Sequence, residues 1–231
     1  MSENKDTPNY FLDKHEKLQT NNWQEQIDRL VQYGYHRVQN LEKDEYQALM
    51  PKFMPQPTEF RGRFNMALLV DPCIPYEKQL RLMGVENDLD DISDFQVVNR
   101  ETIITPNNPY QIWVQDGTLY KGKSGTQLMR ILPSDERGLT LIEGLALIRE
   151  IPDFRLHAKN YMISLLGSQT KKYGHVLQIS HWTYNDNPSM NYKSENYSKG
   201  EEECWSHSID LVNKTGGWPT CGIIDAAKPA S

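Results

Sequence analysis

Cysteine is scarce in this chain: three residues, Cys73, Cys204 and Cys221, among 231. Thiols that are few, odd in number and widely spaced build no disulfide framework, and they read as reduced cysteines of a cytosolic protein. An apolar run of about 18 residues is also missing, so no membrane-spanning helix is expected. There is no long basic block either. Acidic and basic residues are interspersed at a formal net charge of −6, which argues against non-specific binding to nucleic-acid phosphates. The opening MSENKDTPNY is polar and acidic, and is expected to be neither a signal peptide nor a transit peptide. Internal repeats and low-complexity runs are absent. What remains is the expectation of a cytoplasmic protein with neither membrane nor nucleic acid as partner and no implied cofactor.

The chain is 38% hydrophobic, enough for one domain of ordinary size. Its clearest element lies in residues 138–154, GLTLIEGLALIREIPDF. Thr140 and Glu143 form a capping box. Leu141, Leu145 and Ile148 share a helical stripe that Ile142 and Ala146 widen. Pro152 stops the helix. Helical spacing recurs at Trp23, Ile27, Leu30 and Val31, with Gly34 as a stop. Asn40 is the expected cap of a second helix ending before Pro51, and Pro75 opens a third that Gly84 closes. Strands are expected at residues 65–70, 95–98, 161–166 and 175–182. Asp116-Gly117, set between YQIWV and TLY, predicts a hairpin.

The fold class expected is α+β, a single domain. About four helices, near residues 23–33, 41–50, 75–83 and 140–150, pack on a mixed sheet of roughly five strands. Residues 1–20 form a loose tail and residues 21–182 the core domain. Residues 183–231 are an aromatic- and Asn-rich, loop-rich extension packed on it.

Several stretches together resemble a family of uncharacterised bacterial proteins, a domain of unknown function. They are IDRLVQYGYHRV, MALLV, YQIWVQDG, LTLIEGLALIREIPDF, MISLLGSQ and VLQIS, and the resemblance covers roughly residues 25–182. It rests on structural positions. It implies a compact bacterial domain, assigns it no activity, and carries over no site residue.

Gly117, Gly122, Lys123 and Ser124 match the phosphate-binding pattern G-x-x-x-x-G-K-[ST] letter for letter. In that motif backbone N–H groups wrap a phosphate, the lysine reaches the terminal phosphates and the hydroxyl binds Mg²⁺. Such a match arises by chance in about one chain of this length in a hundred. Thr118, Leu119 and Tyr120 favour a strand, so the hairpin is the reading preferred here. His181, Cys204, His207 and Cys221 are the residues from which a tetrahedral zinc site would be drawn, although only Cys204 and His207 have ligand-pair spacing. The acidic run over residues 86–94 lacks the spacing and glycine of a calcium loop and reads as solvated. The last candidate is a recognition surface. Trp182, Tyr184, Tyr192, Trp205 and Trp218 lie among Asn185, Asn187, Asn191 and Asn196, where rings supply contact area and amides supply adaptable hydrogen bonds. The expected function is therefore a non-enzymatic binding or accessory module for a protein or small-molecule partner. A P-loop phosphotransferase and a zinc protein are the alternatives.

Overall fold

A computed structural model describes residues 23–64, 66–84, 86–87, 97–100, 103–115, 118–120, 123, 125–150, 162–171, 176–181, 188–193 and 220–222. The chain is α+β. The described residues begin with three helices: α1 (Trp23–Tyr33), the single turn α2 (Tyr35–Val38) and α3 (Lys43–Ala48). Gly34 separates α1 from α2 in the left-handed conformation, at φ 85°. The cap of α3 is Glu42 rather than the expected Asn40. Glu42 and Glu45 form the capping box there, and Asn40 instead takes a left-handed turn position at φ 56°, which asparagine tolerates better than most residues. A 3-10 turn at Thr58–Phe60 leads into β1 (Met66–Val70), which α4 (Tyr76–Met83) follows.

The remaining described elements are β2 (Glu86–Asn87), β3 (Val97–Asn99), β4 (Tyr110–Gln115), a 3-10 turn at Thr118–Tyr120, α5 (Gly125–Ile131), β5 (Glu136–Gly138), α6 (Leu141–Glu150), β6 (Met162–Thr170), β7 (Val176–His181), β8 (Pro188–Lys193) and β9 (Thr220–Gly222). The strands form two sheets instead of the expected one. The first has the order β1-β4-β9-β5 and the second β2-β8-β7-β6-β3. All pairings are antiparallel except β2 with β8. The expected hairpin at Asp116-Gly117 is replaced as well. β4 pairs with β1 over five residues and with β9, while Thr118–Tyr120 turns as a 3-10 helix. Tyr120, expected in the second arm, is anchored through its hydroxyl, which donates to Glu136 Oε2 at 3.0 Å; Asp116 and Gly117 themselves lie outside the described residues.

Helix α6 organises the core, but not as an amphipathic surface helix. Every residue from Glu143 to Glu150 is buried. An α-helix apolar on most sides is stable only when covered on most sides. Here one side meets Met66, Leu68, Val70, Ile112 and Val114 of the first sheet, and another meets Ile163, Leu165 and Leu177 of the second. The opposite face of the first sheet carries two further clusters. Leu69 packs with Ile27, Leu30, Tyr35, Tyr46 and Ile74, and Trp113 packs with Phe60 and Phe64. Its outer strand is shielded: the amide of Gln26 accepts from Leu69 N at 2.8 Å and donates to Ala67 O at 2.9 Å. A side-chain amide thus stands where a neighbouring strand would, the kind of edge protection that blocks stray pairing.

Candidate functional site

Two buried polar clusters flank α6; of their members the sequence singled out only the Thr140–Glu143 capping box and Cys73. The first gathers at the C-terminal end of β1. Asp71 is buried and accepts from Tyr46 Oη at 2.7 Å, Gln39 Nε2 at 3.0 Å and Cys73 N at 2.9 Å. Gln79 donates to the carbonyls of Asp71 and Ile74 and accepts from Tyr35 Oη at 3.0 Å. Arg149 lies beneath Tyr35, 5.8 Å from the ring centroid. It donates to Leu69 O at 2.6 Å and to Glu150 Oε1 at 2.8 Å, and Arg29 reaches Glu150 from outside at 2.9 Å. Burial disfavours the Arg149 charge, but Glu150 and Tyr35 outweigh it and hold its pKa above the ordinary arginine value. Burial also pushes the Tyr35 hydroxyl up to about 12. Burial and then the Asp71 charge raise Tyr46, and they raise the Cys73 thiol to about 11. Cys73 is therefore protonated at neutral pH and a poor nucleophile.

The second cluster sits where β5 meets α6. Arg137 grips Glu143 through two hydrogen bonds, 2.6 and 2.7 Å, the bidentate fork that suits a carboxylate. Glu143 also accepts from Tyr110 Oη at 3.0 Å and Thr140 N at 2.8 Å, while its own N–H donates to Thr140 Oγ1 at 3.4 Å. The expected capping box is thus present, with a guanidinium added to it. Burial alone would raise the Glu143 pKa, but the Arg137 hydrogen bonds and charge, with the Thr140 bonds, bring it below the ordinary carboxylate value of 4.5. A carboxylate depressed in the folded state contributes stability above its unfolded pKa and loses it as pH falls through the folded one. Unfolding free energy is therefore expected to drop as a urea titration series is taken below about pH 4.5. Arg137→Met is expected to cost about 3 kcal/mol at pH 7 and to flatten that acid limb, because the buried carboxylate then loses its counter-charge.

In both clusters each buried carboxylate is held by two or more donors, which makes it a strut of the fold. One open cavity of about 490 Å³ lies beside the first cluster, lined by His36, Arg37, Leu41, Glu42, Lys43 and Asp44. His36 is buried, and its Nδ1 has no hydrogen-bond partner.

Of the residues proposed from the sequence, four are described: Lys123, His181, Tyr192 and Cys221. Tyr192 is on β8 opposite Leu177, and His181 ends β7 opposite Pro188. Cys221 is on β9, between Val114 of β4 and Arg137 of β5. His181 and Cys221 thus belong to different sheets. Among the described residues no group of three or more His, Cys, Asp or Glu is arranged to hold a metal. Lys123 donates its backbone N–H to Tyr120 O at 3.2 Å, and α5 opens at Gly125, immediately after the motif. Gly117, Gly122, Ser124, Trp182, Tyr184, Cys204, Trp205, His207 and Trp218 lie outside the described residues, as does most of the acidic run. No helix among the described residues is long and apolar enough to cross a membrane.

Comparison with known proteins finds no matching family model, curated protein or solved structure.

Proposed function

We propose that this chain is a non-enzymatic binding or accessory module of the bacterial cytoplasm. It recognises a protein or small-molecule partner through the aromatic and Asn-rich region that follows Thr183, with Trp182, Tyr184, Tyr192, Trp205 and Trp218 as its contact residues. The α+β core of residues 21–182 is the scaffold and the C-terminal extension is the recognition element. One arrangement carries this reading. β8 is inserted between β2 and β7, and β9 between β4 and β5, so the stretch that holds Trp205 and Trp218 is tethered to the scaffold at both ends. Recognition residues concentrate on segments held this way. The test is a screen of peptides and small-molecule fragments against the isotopically labelled full chain, read by NMR. Hits are expected to move the indole signals of Trp182, Trp205 or Trp218 and to disappear in the Trp205→Ala/Trp218→Ala variant. Hits that map only elsewhere overturn the reading.

A second reading, nucleotide binding by Gly117, Gly122, Lys123 and Ser124, is favoured by one observation. β4 leads into this stretch and α5 follows it directly, the strand–loop–helix order of a phosphate-binding loop. Calorimetric titration with Mg-ATP decides it: heat that Lys123→Ala abolishes supports the reading, and its absence removes it.

A further inference from the structure

Residues 51–57, PKFMPQP, are held unlike the rest of the fold. They lie outside any helix or strand, against the face of the first sheet that carries Gln111 and Trp113. The buried amide of Gln111 accepts from Met54 N at 2.8 Å and donates to Met54 O at 2.7 Å. Trp23 Nε1 donates to Pro51 O at 2.9 Å. Gln56 Nε2 donates to Phe60 O at 3.2 Å and also to Phe64 O. The Phe53 ring touches two tryptophans, with centroids 5.8 Å from Trp23 and 6.2 Å from Trp113. The segment is therefore tied down by side chains: between residues 52 and 56 the described hydrogen bonds include none from backbone to backbone. Prolines at 51, 55 and 57 withdraw N–H donors and bar it from a ladder.

The attachment is also incomplete. Phe53 is 50% exposed and Met54 48%, and Leu49 beside them is 52% exposed. An aromatic wedge half in water, with main chain held by side chains, belongs to the low-stability end of a fold. What lies beneath is better formed: Trp113 is 8% exposed and packs on Phe60 and Phe64.

We propose that residues 51–57 are a displaceable strap, filling in cis a groove that takes an extended, proline-flanked peptide with an aromatic side chain from a partner protein. The groove reads such a peptide in two ways. Gln111 binds main chain whatever the sequence, and Trp23 with Trp113 receives the ring. Aromatic-lined grooves select proline-rich segments because these are already extended and lose little freedom on docking. A peptide arriving in trans recovers the bonds the strap gives up, so what opposes exchange is the strap's tether, which acts as a high effective concentration. This inference does not rest on the reading of the C-terminal region, and its test does not require that reading to hold.

The first measurement is hydrogen exchange on the unaltered full chain. The Met54 amide is expected to exchange about a hundredfold or more faster than the amides of the β1–β4 ladder. Protection equal to the ladder makes the strap a fixed part of the fold and overturns the proposal. The second uses a synthetic peptide of residues 49–59 and the full-length Phe53→Ser variant, whose strap is weakened. The peptide is expected to bind this variant more tightly than the unaltered chain, and to lose about tenfold in affinity when Gln111→Ala is added. No binding up to millimolar peptide, with the native circular dichroism spectrum retained, overturns the proposal too.

Discussion

Gly167→Ala is expected to destabilise the protein by more than about 3 kcal/mol, and to do so at a residue no catalytic or binding argument would select. Gly167 lies in β6, where the pairing with β7 shifts register between Leu165 and Gln169. Its N–H donates to Leu139 O at 2.9 Å, and its carbonyl accepts from Arg100 N at 3.1 Å. This is where the backbone of β6 crosses the end of β5. A Cβ added to Gly167 falls 2.6 Å from Gly138 O and 2.7 Å from both C and O of Leu139. These are backbone atoms of a paired strand and the residue after it, so no rotamer relieves the overlap. The two chains must separate, the bond to Leu139 is lost, and the sheets that meet here lose register. Gly138→Ala meets the same crossing from the other side, where its Cβ would collide with Leu166 Cβ. Gly62→Ala is the control. Its Cβ meets nothing within 4 Å, although φ is 79°, so a cost of about 1–2 kcal/mol from backbone strain is expected. Urea unfolding of the three variants measures the ordering. Equal costs at Gly62 and Gly167 would show that the crossing is loose.

Arg149→Met is the second large effect, expected at about 3–5 kcal/mol. Arg149 is among the largest fully buried side chains. Its removal takes the donor from Leu69 O and one of two cations from Glu150, leaving Arg29 alone at 2.9 Å. It also removes the cation under the Tyr35 ring. Arg149 Nη1 has no partner even in the native arrangement, so part of the cost of burying the charge is already carried by the fold. That makes a further result expected. Arg149→Met/Glu150→Leu should be less destabilised than Arg149→Met alone, because the buried carboxylate, left with Arg29 as its one cation, disappears while Arg29, partly exposed, returns to water. A double variant worse than the single one would mean that the network does more than satisfy itself. Chemical denaturation of the two variants, read as a difference, decides between these outcomes.

Much of the fold was legible in the sequence, for local reasons. The 3.6-residue spacing at Trp23, Ile27 and Leu30 became α1, and Pro75 with Gly84 bracketed α4. Thr140 and Glu143 cap α6 as the capping box required, and the apolar runs around Met66 and Met162 became β1 and β6. Each rests on interactions within a few positions, which the order of residues displays directly. The candidate site was less legible. Composition after Thr183 identifies residue types suited to recognition, yet no local pattern reveals that Tyr192 stands opposite Leu177, or that Cys221 lies between two strands from earlier in the chain.

What only the tertiary structure decided depends on partners far apart in the chain. Arg149 reads as the polar end of an amphipathic helix until Leu69, 80 positions away, accepts its hydrogen bond. Gln111 looks like the polar half of an alternating strand until its amide takes Met54, 57 positions away. The second strand of the hairpin expected around Asp116-Gly117 is a 3-10 turn at Thr118–Tyr120, and β4 pairs instead with β1 and β9, both distant in the chain. Gly138 and Gly167 are unremarkable letters that become indispensable only where two backbones touch. Periodicity and capping determine which segments are helix and strand. Burial of charge, division into two sheets and close backbone approach arise when those segments exclude water together, and nothing in a local stretch encodes that event.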